Sequence, residues 1–189
     1  MKALCVAIVA EKGAGKGHFV EATKRLLPEK RVASIRFSDP VRAILEILNK
    51  EITREHMQSL ATTLRYSFND EGILNKAMQK YISETTADII LLDGLRKREE
   101  ALFVRELGGT LVYIVAHPRV RFERRKRHVE NLDEPDMSWE QFLEQDNAAT
   151  EISIREIGES MARIRIENNG TLEEFEQSIK RAWMHLTLP

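Results

Sequence analysis

The sequence predicts an α/β fold of three layers, α/β/α, with a five-stranded parallel sheet and a small helical insertion. Three observations predict it. Short apolar runs alternate along the chain with longer segments of helical period, in the order β-α-β-α. The runs are continuous rather than alternating, as in strands covered on both faces. A glycine-rich turn follows the first run and leads directly into a helix.

A length of 189 residues fits one domain, 1–189. With 42% hydrophobic and 31% charged residues the chain is globular and not disordered. The apolar runs are strand-sized, which excludes a membrane-spanning helix, and the first is too short for a secretory signal. The lone Cys5 excludes a disulfide framework and a cysteine-built zinc site, and suits a reducing, cytoplasmic compartment. A net charge of −1 gives no global pull toward nucleic acid or an anionic membrane. Anion chemistry must therefore come from local clusters of Arg and Lys.

The elements follow in order. Residues 3–9 form a buried strand, and 17–27 a helix that stops at Pro28. Strand 32–37 precedes helix 40–48, with Ser38 or Asp39 as N-cap and Pro40 at the first helical position. Residues 53–84 are helical and broken at 69–72. Strand 88–92 ends in Asp93-Gly94, and helix 97–107 is closed by Gly108-Gly109. Strand 111–115 leads to a very basic helix, 118–129, and an acidic loop, 131–136. Ser138 and Gln141 form a capping box for helix 138–145. Helix 152–161, strand 164–167 and a terminal helix opened by the Thr171/Glu174 box complete the chain.

The chemistry concentrates between the first strand and first helix, in Gly13-Ala14-Gly15-Lys16-Gly17-His18. Glycines let successive N–H groups point at one centre, the helix N-terminus adds partial positive charge, and Lys16 adds a full one. The segment resembles the phosphate-binding loop of adenylate kinase and related nucleoside monophosphate kinases. That resemblance implies a P-loop NTPase fold, with ATP on Gly13, Ala14, Gly15, Lys16, Gly17 and His18, and Mg²⁺ as the metal. Two residues depart from the pattern: Ala10 replaces its first glycine, and His18 replaces a threonine whose hydroxyl meets phosphate or Mg²⁺.

Arg36-Phe37-Ser38-Asp39-Pro40-Val41-Arg42 resembles the acceptor entry of phage-type deoxynucleoside monophosphate kinases and phosphomevalonate-kinase-like enzymes. Met57-Gln58-Ser59-Leu60-Ala61-Thr62-Thr63-Leu64-Arg65 is similar to a helix of the same group, and the seven-residue spacing of Gln58 and Arg65 puts them on one helix face. These likenesses imply an acceptor-binding segment, 39–86, in which Asp39, Arg42, Gln58 and Arg65 meet the acceptor. Four aliphatic residues followed by Asp93 form a Walker-B-like strand end, whose carboxylate suits Mg²⁺ or its water. Asp93-Gly94-Leu95-Arg96 resembles archaeal nucleotide-kinase-like proteins and dephospho-coenzyme A kinases, which implies that Arg96 faces the acceptor.

Six of the ten residues 119–128 are Lys or Arg. With balanced overall charge and no interleaved aromatic platforms, the run is not read as a nucleic-acid patch. It resembles the arginine-rich lid of the same kinases, here a short lid over 119–146. Arg121 and Arg125 are expected to point inward and neutralise the transferred phosphoryl, with Arg121 also on the donor. Glu167-Asn168-Asn169-Gly170 resembles the turn beside the donor base. Asn169 is the candidate there, and Asn168 is the simpler turn and cap residue.

The expected function is transfer of the γ-phosphoryl of ATP to a small phosphorylated acceptor, a (deoxy)nucleoside monophosphate first. Lys16, Asp39, Asp93, Arg121 and Arg125 carry the chemistry. Two alternatives stay open: hydroxyl phosphorylation of the dephospho-coenzyme A kinase kind, with Asp39 as base, and a nucleotide-binding module with little turnover. The partner is a small-molecule acceptor rather than a membrane or nucleic acid. The oligomeric state is left open.

Overall fold

The computed structural model of the chain describes residues 3–127 and 137–187. Five strands make one parallel sheet: β1 (Leu4–Ala10), β2 (Val32–Arg36), β3 (Ile89–Asp93), β4 (Thr110–Val115) and β5 (Ile164–Glu167). Their order is β2-β3-β1-β4-β5, and every neighbouring pair is parallel. The helices are α1 (Lys16–Leu26), α2 (Asp39–Ile47), α3 (Arg54–Phe68), α4 (Ile73–Glu84), α5 (Arg98–Glu106), α6 (Pro118–Arg127), α7 (Trp139–Asp146), α8 (Ala149–Met161) and α9 (Leu172–Thr187).

The continuous apolar runs are explained by two cores, one on each side of the sheet. On one face Val6, Ile8, Leu91, Val112 and Ile114 meet Phe19 and Ala22 of α1 and Phe175, Ile179 and Trp183 of α9. On the other, Ala7, Val9, Ile90, Leu92 and Tyr113 meet Met78 of α4, Ala101 and Val104 of α5, and Ile154 and Ile157 of α8. Alternate residues of each strand thus go to opposite cores. Each fully buried side chain of this size contributes roughly 1.5–3 kcal/mol. From β1 the chain first builds β2 and β3 on one side, then crosses to β4 and β5. The order reverses at β1, so a crevice opens beyond its carboxyl end, where open α/β sheets bind ligands.

Differences from the sequence reading lie at element ends. β1 and β3 each run one residue further than expected, to Ala10 and Asp93. Helix α8 begins at Ala149, three residues earlier than expected. The break at 69–72 is a left-handed Asn69, φ 46°, followed by an Asp70 carboxylate that accepts from Gly72 N at 2.9 Å. Helix α2 starts at Asp39, and its N-cap Ser38 makes no side-chain cap. The Asp39 carboxylate instead turns back to accept from Arg36 N at 2.7 Å. The acidic loop at 131–136 lies outside the described residues.

Candidate active site

The crevice is filled by the turn that follows β1. Ala14 N donates to Glu11 O at 3.1 Å, and Gly13 and Gly15 adopt φ of 80° and 112°. A side chain is excluded at both positions. A Cβ on Gly13 would lie 2.8 Å from Arg121 O, and one on Gly15 would lie 2.4 Å from Asn168 Nδ2. Left-handed backbone and close approach together require glycine there. Ala10 is still within β1, so the strand accepts alanine where the motif has glycine.

The back of the turn is braced by long-range bonds. Asn168 Nδ2 donates to Ala14 O at 2.8 Å, Lys12 N donates to Glu151 Oε2 at 3.3 Å, and Arg121 Nη1 reaches Lys12 O at 3.5 Å. Its front carries Lys16 at the start of α1 and the exposed Gly17. Lys16 Nζ lies 2.7 Å from Asp93 Oδ1, with side chains 38% and 16% exposed. The loop is therefore curled, and its lysine is aimed at the carboxyl edge of the sheet. That pairing balances one ammonium against one carboxylate, and a polyphosphate with a divalent cation matches the same two partners with charges satisfied.

His18 is placed elsewhere. Its Nε2 lies 2.9 Å from Glu176 Oε1 on α9, an oxygen that Arg25 also reaches at 2.6 Å. The ring packs 5.7 Å from Phe175, so it serves the α1–α9 contact.

On the β3 side, Arg65 is 15% exposed and its Nε lies 3.8 Å from Glu71 Oε2, whereas Gln58 is exposed. Arg42 is half-buried, and its Nε has no hydrogen-bond partner. Arg96 is exposed, but its backbone is fixed: its N–H donates to Glu100 Oε2 at 2.8 Å, and Ser153 Oγ donates to its carbonyl at 3.1 Å. Burial pushes the Glu100 carboxyl up, against the pull of the Arg96 and Lys97 amides and of the Lys97 and Arg65 charges.

Helix α6 corrects one expectation. Arg121 is 1% exposed and lies behind the loop rather than over it. It grips Asp146 with Nη1–Oδ1 at 2.5 Å and Nη2–Oδ2 at 2.8 Å, while its Nε donates to Ala116 O at 3.0 Å. With four of its five N–H donors engaged behind the loop, this guanidinium is not aimed at a transferred phosphoryl. Arg125 bonds Gln145 Oε1 at 3.2 Å from both terminal nitrogens and sits by the Phe142 ring. Arg124, not singled out from the sequence, holds Asn168 O and Oδ1, each at 3.0 Å. Asn169 Oδ1 accepts from His117 N at 2.6 Å, which ties the β5–α9 turn to the end of β4.

Sequence reading also missed a cationic group around Lys12. Its ammonium is held below the usual lysine range by burial first, then by the Arg125 charge, with Arg54 and Arg96 acting the same way and Glu151 opposing them. Lys12 stood inside the glycine motif as a signal. Arg54, on α3, had none. Among the described residues no group of three or more His, Cys, Asp or Glu is arranged to hold a metal.

The chain is 31% identical over 138 residues, 72% of either chain, to a UPF0200 protein of Hyperthermus butylicus. It is 28% identical over 184 residues to a UPF0200 protein of Thermococcus kodakarensis, covering 94% of this chain and 95% of that one. No family model matches. Among solved structures it is similar to shikimate kinase from Bacteroides thetaiotaomicron, with TM-score 0.61, 15% identity and coverage of 98% and 99%. A gluconokinase from Sinorhizobium meliloti has TM-score 0.56 and 14% identity, over 98% of this chain and 94% of that one. The shared feature is the three-layer fold of the P-loop kinases.

Proposed function

The chain belongs to the UPF0200 family, and from that premise we propose that it is an ATP-dependent phosphotransferase acting on a small phosphorylated acceptor, a (deoxy)nucleoside monophosphate foremost. One observation carries the reading: the curled Gly13–Gly15 turn sets Lys16 Nζ 2.7 Å from Asp93 at the carboxyl edge of the sheet. Loop amides and Lys16 would cradle the donor phosphates, and Asp93 would hold Mg²⁺. When bound, the metal neutralises charge on the β- and γ-phosphates. The acceptor segment is 39–86, where Arg42 and Arg65, with Arg96 beyond it, would take the acceptor's phosphate. The lid would draw on 119–146, of which 128–136 lie outside the described residues, with Arg125 as its candidate cation. Catalysis is then positioning and charge neutralisation.

A hydroxyl acceptor is the less favoured reading, because one oxygen of its candidate base, Asp39, already accepts from Arg36 N. A slow nucleotide-binding module is the second reading, favoured by His18 facing Glu176 where the motif supplies a hydroxyl.

A coupled assay over nucleoside monophosphates and dephospho-coenzyme A separates these readings. Product from a monophosphate is expected. ATP binding with no product from any acceptor establishes the module. Arg96→Ala should raise the acceptor's KM and leave ATP affinity intact; a change in ATP affinity alone would reverse the donor and acceptor sides.

A further inference from the structure

A cleft of about 490 Å³ lies between the ends of β4 and β5, the start of α6, and α7 and α8; neither Lys16 nor Asp93 lines it. Among its deeply buried polar residues are Glu11, 3% exposed, and Tyr113, 0% exposed. Glu11 Oε1 has Arg155 Nε at 3.4 Å, but Glu11 Oε2 and the Tyr113 hydroxyl have no hydrogen-bond partner. Buried polar atoms left in this state are costly unless something supplies their partners. The deep end thus presents an acceptor and a donor that face each other with no well-formed bond between them.

The donor is held rigidly. A Cβ on Gly158 would lie 2.5 Å from the Tyr113 ring, so the backbone of α8 rests directly on the phenol. Burial first, the Glu11 charge second and hydrogen bonding toward the Glu11 carboxylate third push the hydroxyl above the usual phenol range, which keeps it a donor. The charged lining balances: Glu11, Asp146 and Glu159 against Arg121, Arg155 and Arg165. Arg121 and Asp146 satisfy each other, whereas Arg155 touches Glu11 and Asp146 only at 3.3–3.4 Å and is 34% exposed. Val115 and Leu143 supply apolar wall.

We infer that this cleft is a second ligand site, which takes a small, net-uncharged molecule with an N–H donor beside an acceptor: a free amino acid, its ammonium on Glu11 Oε2 and its carboxylate on the Tyr113 hydroxyl and Arg155. At about 490 Å³ the cleft holds a free amino acid with room left for ordered water. The site stands on its own geometry and does not depend on phosphotransfer.

The test is a thermal-shift titration of the full chain with each of the twenty common free amino acids, and with adenosine as a control. At least one amino acid is expected to raise Tm. Lys16→Ala should respond as wild type. Tyr113→Phe, read against its own baseline, should bind roughly tenfold or more weakly. If Tyr113→Phe fails to fold, Glu11→Gln reads the ammonium end of the same ligand. No response to any amino acid overturns the inference, as does an undiminished response in the cleft variants. A response lost in Lys16→Ala also overturns it, since binding would then be at the phosphate loop. A shift from adenosine alone would make the cleft the base end of the nucleotide site. Loss of ATP binding in Lys16→Ala is scored separately, so the two proposals fail independently.

Discussion

At the scale of single residues, the buried pair Arg121–Asp146 matters most to the loop. Its geometry is bidentate, with the third guanidinium nitrogen on a carbonyl, which is the arrangement that offsets desolvation. Removing one partner strands a charge that is 1% exposed. Asp146→Ala should therefore cost about 3–5 kcal/mol in urea denaturation. Because Arg121 also reaches Lys12 O, nucleotide affinity should fall with it. Unchanged stability would mean that Arg155 or water takes over. Lys16→Ala is the complementary case. Its ion pair with Asp93 is partly open to solvent, so stability should fall by no more than about 1 kcal/mol while nucleotide binding is lost.

At the scale of elements, two glycines set how closely the backbone packs. Gly15→Ala places a Cβ against Asn168 and Phe175 at φ 112°. The loop must open, and ATP affinity should drop at least tenfold in a titration followed by fluorescence or calorimetry. Gly158 is the opposite case, a glycine in the interior of α8. Helix propensity alone favours Gly158→Ala by about 1 kcal/mol. The 2.5 Å approach to the Tyr113 ring outweighs that gain, since overpacking costs roughly 1–3 kcal/mol. A net loss of Tm is expected. A gain would show that α8 can lift from β4 at little cost.

Across the whole molecule, net charge is nearly zero while cations converge on one end of the sheet. Lys12 records that convergence. Its folded pKa is lowered, so between the folded value and 10.5 the unfolded chain holds the extra proton. Stability therefore rises with pH through that window, and the penalty is fully present below it. Lys12→Met should raise Tm near neutral pH and flatten the rise seen in wild type toward about pH 10. Thermal melts across that range check the sign; a steeper rise in the variant would contradict it. Bound phosphate should likewise raise the Lys12 pKa, and its binding should take up protons.

The layered parallel sheet was legible because its three central strands are near-continuous apolar runs and the helices repeat on their own period. The glycine motif was legible because a left-handed turn between strand and helix demands particular residue types. Lys16 and Asp93 were readable for that reason, each standing at an element end. The direction of Arg121 was not, because a helical arginine reads alike whether it faces a nucleotide or a buried carboxylate 25 residues away. Nor were Arg54 beside Lys12, His18 against Glu176, or the open atoms of Glu11 and Tyr113. The sequence by itself determined the elements and the loop, since local backbone preference and burial period are properties of neighbours in the chain. Only the tertiary structure decided which charges meet, because those partners come from distant segments and their pairing depends on how the layers close.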